Sequence, residues 1–215
     1  MLGPSYVAER ERIRTLLIGS VPLLESPWEA VDVGAGTGRY TRVLLEVGAE
    51  RVTAVDVSPA SLATLAARVA NPAWVTAVCA DVFAALPPGT GPEARFDVVL
   101  CCDAIHHLGA LPAVLSRLRE LAVPGGLVVG DVWTADHFHE FQLARRGRME
   151  HALASVQFLA AAAVNRLLRR PALHAARSHL LPAAAVREVL REALGPQMQL
   201  YTDRYWVSFA VWLLT

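Results

Sequence analysis

The chain has 215 residues, 54% of them apolar, a mean hydropathy of +0.36 and no formal net charge at neutral pH. That length and apolar content suit one well-buried domain and exclude a disordered chain, and zero net charge removes the broad positive field that draws proteins to nucleic acid. All 20 Lys/Arg positions are arginine, and the three cysteines (Cys79, Cys101, Cys102) are odd in number with two adjacent, so no disulfide framework is implied and a reducing cytoplasm is the expected compartment.

The N-terminus lacks a signal-type apolar core, and no apolar stretch reaches the roughly 20 residues a bilayer span needs, so no stable membrane insertion is expected. Residues 5–18 carry charges and Leu/Ile at helical spacing and predict an amphipathic helix. Pro22 and Pro27 punctuate the next stretch. "WEAVDVG" predicts a strand ending at Gly34, and "RYTRVLLEVG" a helix closed by Gly48. "RVTAVDV" predicts a second strand. "SPASLATLAARVA" is a helix with Ser58 as N-cap and Pro59 in its first position. "WVTAVCAD" and the continuous apolar run "FDVVLCCD" predict strands three and four, the latter covered on both faces. "LPAVLSRLRELAV" is a helix stopping at Pro124, Gly125 and Gly126, and "LVVGDVW" is a fifth strand. Residues 135–170 read as helix, residues 182–195 as another, and "MQLYTDRYWVSFAVWLL" as a hairpin turning at Asp203 and Arg204.

Repeated β–α alternation predicts an α/β fold: a Rossmann-like, seven-stranded, mostly parallel sheet with helices on both faces and an antiparallel C-terminal hairpin. With no internal repeat or linker, residues 1–215 form a single domain, with residues 134–181 as a helical insertion after the fifth strand.

"VDVGAGTGRYT" places three glycines in alternation, Gly34, Gly36 and Gly38, where a strand gives way to a helix. In an open α/β sheet, ligands sit at the carboxyl ends of the strands. A dinucleotide loop would have G-x-G-x-x-G, but Arg39 occupies the third glycine's position. A Walker loop would need a lysine. Asp32, just ahead of the loop, is wrong for a phosphate and right for an ammonium group, which points to an amino acid joined to a nucleoside.

"VDVGAGTGRYT" also resembles the first motif of the class I S-adenosylmethionine-dependent methyltransferases, and four further segments follow that family's order. "VTAVDVSPASL" resembles the second strand, which implies that Asp56 holds the ribose hydroxyls while Val57 and Ser58 flank the adenine. "AVCADVFAALP" resembles the third motif, implying that Asp81 accepts from the adenine amine and Val82 offers its backbone N–H. "FDVVLCCDAIHHL" resembles the fourth, placing Cys102 and Asp103 at the methionine end. "LRELAVPGGLVVGDVW" resembles the following helix, turn and strand. The resemblance spans residues 28–133. It implies S-adenosyl-L-methionine as cofactor, S-adenosyl-L-homocysteine as product, and a cofactor site built from Asp32, Gly34, Ala35, Gly36, Gly38, Asp56, Val57, Ser58, Asp81, Val82, Cys102 and Asp103.

The acceptor is expected to be a small molecule methylated on oxygen without a metal. "CCDAIHH" departs from the Asn/Asp-Pro-Pro-aromatic segment of methyltransferases that act on amide or base nitrogens, so nucleic acid is not an expected partner. His106 and His107, past the fourth strand, and His137 and His139, in the insertion, are the candidate catalytic side chains. The simpler reading of the first two is packing on the cofactor and a satisfied loop histidine. A metal-dependent site would have to use Asp103 and Asp131. The insertion is rich in arginine between Arg145 and Arg177, which suits an acidic acceptor, a membrane surface or solvent alone. A homodimer is left open. The alternative function is a protein that keeps this fold and cofactor without transferring methyl, such as a cyclase or a binding subunit.

Overall fold

A computed structural model describes residues 4–84, 96–137, 140 and 180–213. The elements are α1 (Pro4–Ser20), β1 (Glu29–Val33), α2 (Arg39–Glu46), β2 (Arg51–Asp56), α3 (Pro59–Arg68), β3 (Val75–Cys79), β4 (Phe96–Cys101), α4 (Ile105–Leu108), α5 (Leu111–Leu121), β5 (Ala122–Trp133), α6 (Ala183–Leu194), β6 (Met198–Thr202) and β7 (Trp206–Trp212). The strands form one seven-stranded sheet in the order β3-β2-β1-β4-β5-β7-β6. β1 to β5 run parallel, whereas β7 is antiparallel to both β5 and β6. The expected sheet and terminal hairpin are both present.

Local chemistry accounts for most of these boundaries. The Ser58 hydroxyl accepts the Ser61 N–H at 3.2 Å and starts α3, with Pro59 in the first turn. α5 buries Leu111, Val114, Leu115, Leu118 and Leu121, the stripe its helical spacing predicts. α6 does the same with Val186, Leu190 and Leu194. Along α1, Ile13 and Leu17 face the sheet, and Glu9 lies one turn earlier on the same buried stripe. That position of a charged residue was not foreseen.

The strand alternation divides the core into two layers. Val31, Val99 and Val128 point toward α5 and α6, while Ala30, Leu100 and Val129 point toward α1 and α2. β5 starts at Ala122, five residues before the expected strand, because the chain resumes pairing with Phe96 of β4 at once. β3, an edge strand with three exposed residues, ends at Cys79 rather than continuing to Asp81. The one-turn α4 was not anticipated.

Most of the 134–181 segment lies outside the described residues, including the helix expected over residues 135–170. Its two ends meet: Thr134 bridges Leu181, and the Ala135 N–H donates to the Leu181 carbonyl at 2.9 Å. The segment therefore leaves and rejoins the body at one point beside the end of β5. Among the described residues no helix is long and apolar enough to cross a membrane.

Leu118 is fully buried in the layer between the sheet, α5 and α6. Leu118→Ala is expected to lower the free energy of unfolding by about 2–5 kcal/mol, measured by urea titration, because the space it leaves is closed in by packed neighbours.

Candidate functional site

β1 pairs with β2 on one side and β4 on the other. The chain leaves β1 toward β2 and returns through β4, so a crevice opens between the carboxyl ends of β1 and β4. A cavity of about 440 Å³ fills it, a size suited to a small-molecule or cofactor ligand.

The glycine loop forms one wall. The N–H groups of Gly34 and Ala35 donate to the Val55 carbonyl at 2.8 and 3.0 Å, and the Gly36 N–H donates to Asp56 Oδ2 at 2.8 Å. These three bonds clamp the loop to the end of β2. Gly34 has φ +73°, and a Cβ there would lie 2.4 Å from the Ala104 Cβ, so β1 and the end of β4 touch at the crevice floor. Gly36 has φ +52°, and a Cβ there would meet nothing closer than 3.9 Å. Bare backbone at Gly36 therefore faces the open cavity, the cradle that a close-lying ligand requires.

The predicted site residues divide into those on the wall and those behind it. Gly34, Ala35, Gly36, Asp56, Val57, Asp81, Val82, Cys102, Asp103 and His107 line the cavity. Gly38 stands behind it as the N-cap of α2, pressed against Leu65. Ser58 also stands behind: its hydroxyl caps α3, and its N–H donates to Asp56 Oδ1 at 2.8 Å. Asp56 thus takes one backbone N–H on each oxygen, which fixes its carboxylate at the cavity edge and leaves further lone pairs for hydroxyl donors.

Asp32 is not on the wall. It lies beneath the loop, 1% exposed, and its Oδ2 accepts the Thr41 hydroxyl at 2.6 Å. Burial raises its pKa from the ordinary 3.8 to about 6, against the lowering effect of the Thr41 hydrogen bonds. Its place is as the anchor of α2 under the loop rather than a ligand wall.

The candidate histidines also separate. His107 is exposed and lines the cavity beyond β4. His106 is buried and stacks on Trp133, with ring centroids 4.3 Å apart and planes 17° apart. His137 is half-buried, its Nδ1 3.5 Å from Glu140 Oε2, and it does not line the cavity. His139 lies outside the described residues. The thiols of Cys101 and Cys102 are pushed up chiefly by burial, so both stay neutral.

Asp131 does not pair with Asp103 as two metal-binding carboxylates would. Its Oδ1 accepts the Asp103 backbone N–H at 2.8 Å, and its carboxyl is held well above the usual carboxylate range by burial and then by neighbouring Glu9 and Asp103. Among the described residues no three His, Cys, Asp or Glu side chains gather as a metal centre.

Several functional neighbours escaped the sequence reading. Arg39 and Tyr40, the first residues of α2, line the cavity, and Glu9 reaches them from α1. Arg39 Nη1 lies 3.7 Å from Glu9 Oε2 and 3.8 Å from Asp103 Oδ2. Position 39 carried a signal in the sequence, since an arginine stands where a dinucleotide loop needs glycine. Glu9 carried only a weak one, as an acid on an apolar stripe.

Residues 31–128 match the family model of a methyltransferase domain. The uncharacterized methyltransferase Rv0089 of Mycobacterium tuberculosis is 30% identical over 178 residues, which cover 74% of this chain and 81% of that protein. The chain belongs to the class I S-adenosylmethionine-dependent methyltransferases. Within this methyltransferase family it is also 33% identical to the malonyl-[acyl-carrier protein] O-methyltransferase of Halorhodospira halophila, over 63% of this chain and 45% of that one. The carbon methyltransferase of CurJ shares the fold, with a TM-score of 0.69 at 14% identity, covering 96% of this chain and 54% of that one. The chain spans less than half the length of the first curated relatives it matches. The family cofactor, S-adenosylmethionine, fits this methyltransferase site: the Gly36 cradle admits its methionine portion, and the fixed Asp56 carboxylate suits a vicinal diol.

Asp32 supplies a pH test of the loop's anchor. It takes up its proton at higher pH when folded than when unfolded, so the folded methyltransferase binds more protons between pH 3.8 and about 6. Its contribution to stability is full below that window and is lost as pH rises through it. Relative to Asp32→Asn, which stays neutral, wild type is expected to lose up to about 3 kcal/mol across the window, measured by urea unfolding at stepped pH.

Proposed function

We propose that this protein transfers a methyl group from S-adenosylmethionine to an oxygen of a small acceptor, without a metal ion. The observation that carries the reading is one continuous cavity, with the glycine loop and Asp56 at one end and His107 beyond β4 at the other. The similarity to an O-methyltransferase of acyl-carrier-bound malonyl groups supports oxygen as the accepting atom and a carboxylic acid as the first acceptor class to try.

Bound S-adenosylmethionine supplies a methyl group on a positively charged sulfur, already primed for in-line displacement. The chain's own residues have three tasks. The Gly34–Gly36 backbone would hold the methionine end of the cofactor and Asp56 its ribose hydroxyls, while Asp81 and the Val82 N–H would receive the adenine. The wall from Cys102 to Leu108 excludes water and aligns the accepting oxygen with the methyl, and alignment alone supplies a large share of such a rate. His107 takes the proton of a hydroxyl acceptor or orients a carboxylate, a role suited to an imidazole that ordinarily titrates near neutral pH. His106, stacked on Trp133, sets the floor under His107. The expected insertion of residues 134–181 belongs to the same domain in this reading; most of it lies outside the described residues, and support comes from its two ends, Thr134 and Leu181, which meet beside β5.

Calorimetric titration is expected to show S-adenosylhomocysteine binding to wild type, and Asp56→Ala to weaken it by about 1.5–3 kcal/mol, the worth of hydrogen bonds to a charged acceptor. Binding that Asp56→Ala leaves untouched removes the ribose assignment. With a panel of carboxylic acids and phenols, including acyl-carrier-bound malonyl groups, S-adenosylhomocysteine production is expected to continue in EDTA. His107→Ala is expected to lower turnover about 100-fold for a hydroxyl acceptor while cofactor affinity holds. Cofactor binding without turnover on any acceptor of the panel favours the binding-subunit reading.

A further inference from the structure

Two carboxyl groups meet in the interior behind the cavity wall. Glu9 comes from α1 and Asp131 from β5, with 2% and 1% exposure. α1 packs on β5, and Asp131 is pushed toward its neutral form by burial first and by the neighbouring Glu9 second. Two facing carboxylates have no donor between them, so a hydrogen bond joining them requires a proton. The remaining valences fit that count. Glu9 Oε1 accepts the Tyr40 hydroxyl, and Asp131 Oδ1 accepts the Asp103 N–H. Glu9 Oε2 and Asp131 Oδ2 are buried and make no hydrogen bond to a donor among the described residues. A proton on Asp131 facing Glu9 satisfies both.

The groups around the pair come from each element packed on it. α2 supplies Arg39 and Tyr40, the end of β4 supplies Cys101, Cys102 and Asp103, and β7 places Ser208 opposite Asp131. Arg39 is the cation nearest Glu9. Burial pushes Tyr40 up, so it remains a neutral donor. Four of these neighbours, Arg39, Tyr40, Cys102 and Asp103, line the cavity. Asp103 has φ 56°, the only non-glycine residue with positive φ among those described. Such a conformation persists where its surroundings fix it, and the bond from its N–H to Asp131 is the fixing contact.

We propose that Glu9 and Asp131 share one proton and act together as a positioning pair, holding Arg39, Tyr40 and Asp103 in the arrangement the cofactor's methionine end requires. The proposal rests on the cofactor reading above. Neither carboxyl touches the cofactor; both act through the three wall residues. The pair also makes cofactor affinity depend on helix α1, more than a hundred residues from β5 in sequence. Loss of the shared proton puts two negative charges side by side in a dry interior, and the contact between α1 and β5 opens.

The test uses amide isosteres. Asp131→Asn keeps the oxygen that accepts the Asp103 N–H and gives Glu9 a donor that does not ionise. Asp131→Ala removes both. The probe is S-adenosylhomocysteine, titrated calorimetrically from about pH 6 to about pH 10. Wild type is expected to bind at neutral pH and to weaken about tenfold at the alkaline end relative to Asp131→Asn. Asp131→Ala is expected to bind about tenfold more weakly at neutral pH. The apo protein at neutral pH is expected to show the infrared carbonyl band of a protonated buried carboxyl, lost in Asp131→Asn; this readout remains should the alanine variant not fold. Parallel pH profiles for wild type and Asp131→Asn, or no protonated-carboxyl band, overturn the proposal. Wild type that binds no S-adenosylhomocysteine at any pH overturns the cofactor reading instead.

Discussion

The position of β1 between β2 and β4 constrains everything above it. Its backbone is hydrogen-bonded to parallel strands on both sides, and the chain runs off toward one neighbour and comes back through the other. The crossovers therefore diverge above β1, and the carboxyl ends of β1 and β4 are left with a gap that no helix among the described residues covers. The glycine loop lies on one lip and the Cys102–Leu108 turn on the other. Contact between Gly34 and Ala104 sets how closely the lips approach. A bulkier residue at either point would push the walls apart from their base.

Around that gap the protein gathers acids at some cost. Asp32, Glu9 and Asp131 are each almost fully buried, on a sheet face that is otherwise apolar. Each is accommodated by a different device. Asp32 takes a hydroxyl donor from Thr41. Glu9 sits against Arg39 and Tyr40. Asp131 is held toward its neutral form. Burying these groups opposes stability, and replacing such sets with apolar residues is often stabilising. Their position against three wall residues explains why the interior is not simply hydrophobic there. Fixed polar groups already oriented in the folded chain need no rearrangement when a charged ligand arrives.

The two ends of the cavity differ in how they are built. The glycine-loop end is made of backbone clamped by backbone and of short acids at strand ends within residues 31–82. The opposite end draws on the turn after β4 and on α4. Adjacent histidines illustrate it: one helical step turns His106 inward onto Trp133 and His107 outward to the cavity.

The sequence by itself determined the order of elements, the glycine loop, the acids at the strand ends and the family. These are encoded in residues a few positions apart: alternation for strands, the i, i+4 stripe of α5, Ser58 with Pro59 at a helix start. The tertiary structure alone decided which side chains face the cavity. Asp32 reads as a ligand residue, yet it points under the loop because strand alternation places it on the α1–α2 face. Ser58 and Gly38 match the motif but serve as helix caps. Glu9 is an acid on the apolar stripe of an amphipathic helix, and only the docking of α1 across β5 brings it beside Asp131. Local periodicity says that a helix has a face. Which partner covers that face depends on contacts between residues far apart in the chain, and those exist only once the sheet has closed.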